Sequence, residues 1–171
     1  MSQKSVSETI MSMSDETWLR HANPWSGWTR MSALPLVAIA VWSREWIGWY
    51  SAFAVGGVIL WIWLNPRLFP LPKDTNNWMS KGVQGERFFL ARKDYQVSND
   101  HVRVAHILSG ISAFGMLPFA YGLWVLDIWI IAFGMSVTML AKLWFLDRMV
   151  WIRADVFAMS TNEEALPGLD R

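Results

Sequence analysis

The sequence predicts an all-α integral membrane fold, a bundle of four transmembrane helices in two hairpins with a long cytoplasmic loop between helices 2 and 3. Two charge-free runs and a one-sided distribution of basic residues predict it. No Asp, Glu, Lys or Arg occurs in the 21 positions from Trp46 to Pro66 or in the 23 from Val104 to Leu126. At about 1.5 Å of rise per residue, either run can cross a hydrocarbon core roughly 30 Å thick. Hydrophobic residues make up 53% of the chain and charged ones 17%, which departs from ordinary globular usage in the same direction.

Residues 1–16 lack a sustained apolar period and read as a mobile tail. They also lack the basic, apolar and small-residue order of a cleavable signal peptide, so the first hydrophobic segment is expected to be retained. The membrane domain is expected over 17–153, with helices at about 29–45, 46–64, 100–125 and 127–151, a cytoplasmic loop over 65–99 and a polar tail over 154–171.

The first segment is the shortest, with 13 uncharged residues from Met31 to Ser43 and a proline at 35. It reaches spanning length when Arg30 snorkels and Trp25 and Trp28 lie in the headgroup region. Ser43-Arg44-Glu45-Trp46 reads as the tip of a tight helical hairpin. Asn65-Pro66 is expected to stop the second helix. Within the loop, Trp78 to Lys93 can hold a short surface helix whose length Gly82 and Gly85 limit. Ser98-Asn99-Asp100 supplies an N-cap for the third helix, Pro118 is expected to kink it, and Asp127 marks a second short turn. Lys142 interrupts the fourth segment, and its stem can reach toward the headgroups.

With four spans, both termini and the central loop lie on one side. That side holds 13 of the 15 Lys and Arg residues, so the positive-inside rule makes it cytoplasmic; a bacterial inner membrane is the expected setting. Trp42, Trp46, Trp49, Trp124 and Trp129 then form an outer aromatic belt, and Trp25, Trp28, Trp61, Trp63, Trp144 and Trp151 an inner one. The small-residue pairs Ala52/Gly56, Ser109/Ala113, Ala132/Ser136 and Gly134/Thr138 are read as helix-packing contacts.

The chain has no cysteine, which removes disulfides, iron–sulfur clusters, thiolate zinc sites and a cysteine nucleophile. The net charge of +1 gives no sign of nucleic-acid binding. Neither an HExxH motif nor carboxylate-rich di-iron spacing is present, so no metal or cofactor is predicted. Among His21, His101 and His106, the last is the best single candidate for an axial ligand of haem or a chlorin.

Polar residues concentrate at the inner helix ends. Trp144, Asp147, Arg148 and Trp151 follow at i, i+3, i+4 and i+7 and share a helix face, where Arg148 can stack on an indole or pair with Asp147. His21, Asn23 and Arg30, Asn65 and Arg67, and Glu86 and Arg87 are expected at the same depth. The arginines outnumber the carboxylates, a balance that suits a phosphate or carboxylate, including that of a lipid headgroup. The candidate residues for binding an anion, lipid or partner are therefore His21, Asn23, Trp25, Trp28, Arg30, Asn65, Arg67, Glu86, Arg87, Trp144, Asp147, Arg148 and Trp151.

The strings HANPWSGWTR at 21–30, WLNPRLFP at 63–70, GVQGER at 82–87 and KLWFLDRMVW at 142–151 resemble a family of bacterial and archaeal multi-pass membrane proteins known as a domain of unknown function. The resemblance covers roughly Trp18 to Trp151 and implies no activity, cofactor or catalytic residue. The expected partners are membrane lipids, a larger membrane complex or further copies of the chain. The leading expectation is a non-enzymatic membrane subunit that binds an anionic lipid headgroup or a partner protein. Two alternatives stand beside it: a membrane enzyme acting on a lipid or amphipathic substrate, with His21, Glu86 or Asp147 as acid–base groups, and a pigment- or haem-associated accessory subunit using His106.

Overall fold

A computed structural model describes residues 20–165, and all regular structure among them is helical. Three stretches are long and apolar enough to cross a membrane: Pro24–Asn65, Asn99–Val125 and Ile128–Ser160.

The first of these is a folded-back pair. Helix α1 (Pro24–Met31) starts at Asn23, whose side chain accepts from the Trp25 N–H, with proline just inside the helix where its missing N–H costs nothing. A one-residue break at Ser32 separates it from α2 (Ala33–Trp42). Pro35 accounts for the break, because its ring collides with the carbonyl four residues earlier and cannot bond to it. The tip consists of α3 (Arg44–Ile47) and a 3-10 turn over Gly48–Tyr50. Gly48 has φ 57° and ψ −132°, a conformation essentially restricted to glycine. The chain then returns as α4 (Ser51–Leu68). The reversal brings Ser26 Oγ to 2.9 Å from Asn65 Oδ1 across 39 residues of sequence.

Helix α4 does not stop at Asn65-Pro66 but continues to Leu68. A proline in a last turn withdraws only one ladder bond, that to the Ile62 carbonyl, and Arg67 Nη1 adds a bond to the neighbouring Trp63 carbonyl at 2.6 Å.

The second hairpin is formed by α6 (Asn99–Val125) and α7 (Ile128–Ala165). Ser98 caps α6, which continues past Pro118, and Leu126 closes it in the left-handed region at φ 55°. Asp127 Oδ1 accepts from the N–H groups of Trp129 and Ile130 and so opens α7. The two helices meet at glycines: a Cβ on Gly134 would lie 2.3 Å from the Phe119 nitrogen, and one on Gly115 2.6 Å from Thr138 Oγ1. The Gly134/Thr138 pair therefore packs as expected. Gly56 faces open space, so the Ala52/Gly56 pair makes no such contact within the chain.

Helix α7 passes the expected end near Trp151 and continues to Ala165, into the stretch expected to be a polar tail. Its 38 residues extend roughly 57 Å, well beyond a bilayer's apolar thickness. Between the hairpins lies α5 (Trp78–Leu90), capped by Asn77. The two glycines expected to shorten it instead let it press on α7. A Cβ on Gly82 would lie 3.3 Å from the Leu146 carbonyl oxygen, and one on Gly85 only 1.8 Å from that of Met149. Met79, Ser80, Val83 and Phe89 are buried, so one face of α5 packs inward while Arg87 stays exposed on it.

Directly between α2 and the α6–α7 pair, contact is sparse. The hairpins are joined at their ends. At the tip end, an Arg44 Nη donates to the carbonyls of Leu123 (3.0 Å) and Trp124 (2.5 Å) in the last turn of α6, where a cation also complements the helix dipole. At the other end α5 bridges α1 and α7. Between these joints, Pro35, Ile39, Trp42, Ile131 and Met135 help line an open apolar groove of about 410 Å³.

Candidate functional site

The end opposite the hairpin tips carries the polar chemistry, divided into three neighbourhoods. The innermost is structural. Ser26 and Asn65 are fully buried, and Ser26 Oγ donates to Asn65 Oδ1 while Asn65 Nδ2 donates to Thr29 Oγ1 at 2.7 Å. Asn23 Nδ2 bonds the Pro70 carbonyl at 3.0 Å, which fastens the proline-rich connection after α4. Ser80 Oγ bonds the Ala22 carbonyl at 2.5 Å, tying α5 to the segment before α1. Buried polar groups satisfied in this way fix one arrangement of the elements. Ser26, Thr29, Asn77 and Ser80 escaped the sequence reading because short hydroxyl and amide side chains beside turn formers look like ordinary caps.

The second neighbourhood is charged. Arg30 Nη1 donates to His21 Nδ1 at 2.9 Å, and Arg30 Nε donates to the Ser26 carbonyl at 3.2 Å. Lys142 Nζ lies 3.4 Å from Glu86 Oε1, and Glu86 also acts electrostatically on Arg30. Burial, then the charges of Arg30 and Lys142, push the His21 imidazole down to about 3, so it is neutral at physiological pH. Lys142 is thus a member of this cluster, reaching from α7 toward Glu86 on α5. Its signal was present in the sequence as a lysine inside an otherwise apolar run.

The third neighbourhood lies farther along α7. Asp147 accepts from two indoles, Trp78 Nε1 at 3.1 Å and Trp151 Nε1 at 3.3 Å. Arg148 does not pair with it, since consecutive helix residues point about 100° apart. Arg148 Nη1 instead points to His101 Nδ1 at 3.4 Å, while His101 Nε2 lies 2.8 Å from Asp155 Oδ2. Arg148 Nε is buried and has no hydrogen-bond partner among the described residues.

The expected convergence is therefore only partial. Arg67 is exposed and folds back over the Trp63 ring, 4.4 Å from its centroid. Arg87 is exposed on α5. Trp25, Trp28, Trp144 and Trp151 have large exposed faces, and Trp28 stacks on Trp78 with centroids 6.0 Å apart. The three groups offered as acid–base candidates each face a partner: His21 meets Arg30, Glu86 meets Lys142, and Asp147 meets its two indoles. His106 sits edge-on to Phe89 with centroids 5.7 Å apart. Among the described residues no group of three or more His, Asp or Glu side chains could hold a metal ion.

Fold and site together define a helical protein with stretches of membrane-crossing length and a cationic, tryptophan-rich polar end. The chain belongs to a family of unknown function (DUF6653), which matches residues 5–167. That match extends beyond both limits of the resemblance read from the four strings. No curated protein and no solved structure matches the chain.

Proposed function

We propose that the protein crosses the cytoplasmic membrane four times as two helical hairpins, with both termini and α5 on the cytoplasmic side, and that it is a non-enzymatic membrane component. Its cluster of Arg30, Lys142, Glu86 and His21 receives the phosphate of an anionic lipid headgroup. The observation that carries this reading is the charge balance. Among the described residues, Arg30 and Lys142 are two cations against the one carboxylate of Glu86, and burial and their field keep His21 neutral. The surplus positive charge is partly buried, where it attracts an anion more strongly than an exposed pair would. Four crossings are supported by the fold-back at Gly48 and by the two joints between the hairpins, Arg44 at the tip end and α5 at the other.

Native mass spectrometry of the full-length protein with added phosphatidylglycerol tests the site. The adduct is expected to weaken about tenfold in Lys142→Ala, the loss of one charge-assisted contact. Lys142 is 43% exposed, so its removal spares the core. Undiminished adducts in both Lys142→Ala and Arg30→Gln would rule the site out.

A further inference from the structure

Asp147 has no role in the anion site, and its surroundings are unusual for a carboxylate. Its hydrogen-bond partners among the described residues are two uncharged indoles, Trp78 Nε1 on Oδ1 and Trp151 Nε1 on Oδ2. Three cations flank it on the same helix, and each is directed elsewhere. Arg148 points to His101, Lys142 to Glu86, and Arg153 Nε to Gln84 Oε1 at 2.6 Å. Among the described residues, the negative charge of Asp147 thus has no counter-ion at a site partly withdrawn from water, where a cation is held more firmly than in bulk solvent.

The aromatic groups specify which cation fits. Each indole turns its N–H edge to the carboxylate, so a cation that meets those oxygens from outside either ring plane also meets an electron-rich indole face. Trp28, nearly parallel to Trp78 at 24°, extends that wall. Trp151 is 58% exposed, so a ligand can reach it from outside the bundle. A metal ion would need further oxygen or nitrogen ligands that the described residues do not gather here. An alkylated ammonium needs none: one carboxylate and several ring faces are its usual receptor.

Depth on the helix agrees. Asp147 lies about 28 Å along α7 from Ile128, close to the roughly 30 Å that separates the two headgroup regions. We infer that Asp147, walled by Trp78, Trp151 and Trp28, binds an alkylammonium group, the ethanolamine or choline headgroup of a membrane lipid. The site uses residues distinct from the phosphate cluster and holds or fails separately from it.

The test is native mass spectrometry of the full-length protein with phosphatidylethanolamine, phosphatidylcholine and phosphatidylglycerol of matched acyl chains. Only phosphatidylglycerol carries a net negative charge, so the anion site favours it, and the amine arm is read as the change that a substitution makes in the ratio of amine-lipid to phosphatidylglycerol adducts. Asp147→Asn is expected to lower that ratio about fivefold, the scale of one partly desolvated cation–π contact, while leaving the phosphatidylglycerol adduct in place. Should Asp147→Asn fail to yield folded protein, Trp151→Ala, which removes a largely exposed ring, carries the same comparison. Tetramethylammonium chloride is the soluble arm. If it binds in an Asp147-dependent way while the lipid ratio is unchanged by the substitution, the ammonium site stands and its source is a soluble amine. The inference is overturned if Asp147→Asn changes neither the lipid ratio nor tetramethylammonium binding.

Discussion

The backbone of Gly85 lies directly on the carbonyl of Met149, so closely that a Cβ on Gly85 would stand 1.8 Å from that oxygen. No rotamer change can relieve a collision with backbone. Gly85→Ala must force α5 and α7 apart, at a cost of about 1–3 kcal/mol typical of overpacking. Gly56→Ala, which meets open space, should shift stability by no more than about 0.5 kcal/mol. Thermal unfolding in detergent compares the two, and equal midpoints would contradict the close packing of α5 on α7.

Asn65 is the second point of sensitivity. Replacing it with leucine preserves approximate volume but removes the acceptor of Ser26 and the donor to Thr29. Leaving buried polar groups unpaired costs about 1–3 kcal/mol. In a double-mutant cycle, Ser26→Ala should therefore cost much less in the Asn65→Leu background than alone. Additive costs would mean that the two side chains are not coupled.

These contacts show where the sequence was legible. Hydropathy and charge identify the apolar helices, because span length and the exclusion of ionised groups are properties of each segment by itself. The hairpin turns were also readable, since Arg44 and Asp127 interrupt apolar runs over very short distances. The role of α5 was not. Gly82 and Gly85 reduce local helix propensity, and only the position of α7 reveals that their missing side chains admit a neighbouring backbone. Propensity describes a helix alone, whereas close approach belongs to a pair. The same reason explains the polar end. Charge counting gathered Arg30, Arg67, Glu86, Arg87, Asp147 and Arg148 at one depth, but depth does not fix azimuth. Arg67 consequently turns to Trp63, Arg148 to His101, and Lys142 joins Glu86.

The absence of cysteine makes the proposed topology directly measurable. Single cysteines at Ser43, beside the hairpin tip, and at Lys73, between α4 and α5, should respond oppositely to a membrane-impermeant maleimide. Ser43→Cys is expected to label in intact cells, and Lys73→Cys only after permeabilisation. Labelling of both from the same side would eliminate an odd number of crossings between them and with it the proposed arrangement.

His21 should make stability fall with acid. Its folded-state value near 3 lies below the ordinary 6.5 because burial, Arg30 and Lys142 disfavour the imidazolium. The unfolded chain therefore binds a proton that the folded chain refuses once the pH drops below 6.5. The sign follows: this contribution is fully present above pH 6.5 and declines as pH falls from there toward 3, with a limiting slope of about 1.4 kcal/mol per pH unit. His21→Gln, which keeps a hydrogen-bonding group and removes the titration, should flatten the pH dependence of the unfolding midpoint between pH 6.5 and 5. An identical slope in the two proteins would assign the acid sensitivity to other groups and remove His21 from the charged cluster's electrostatics.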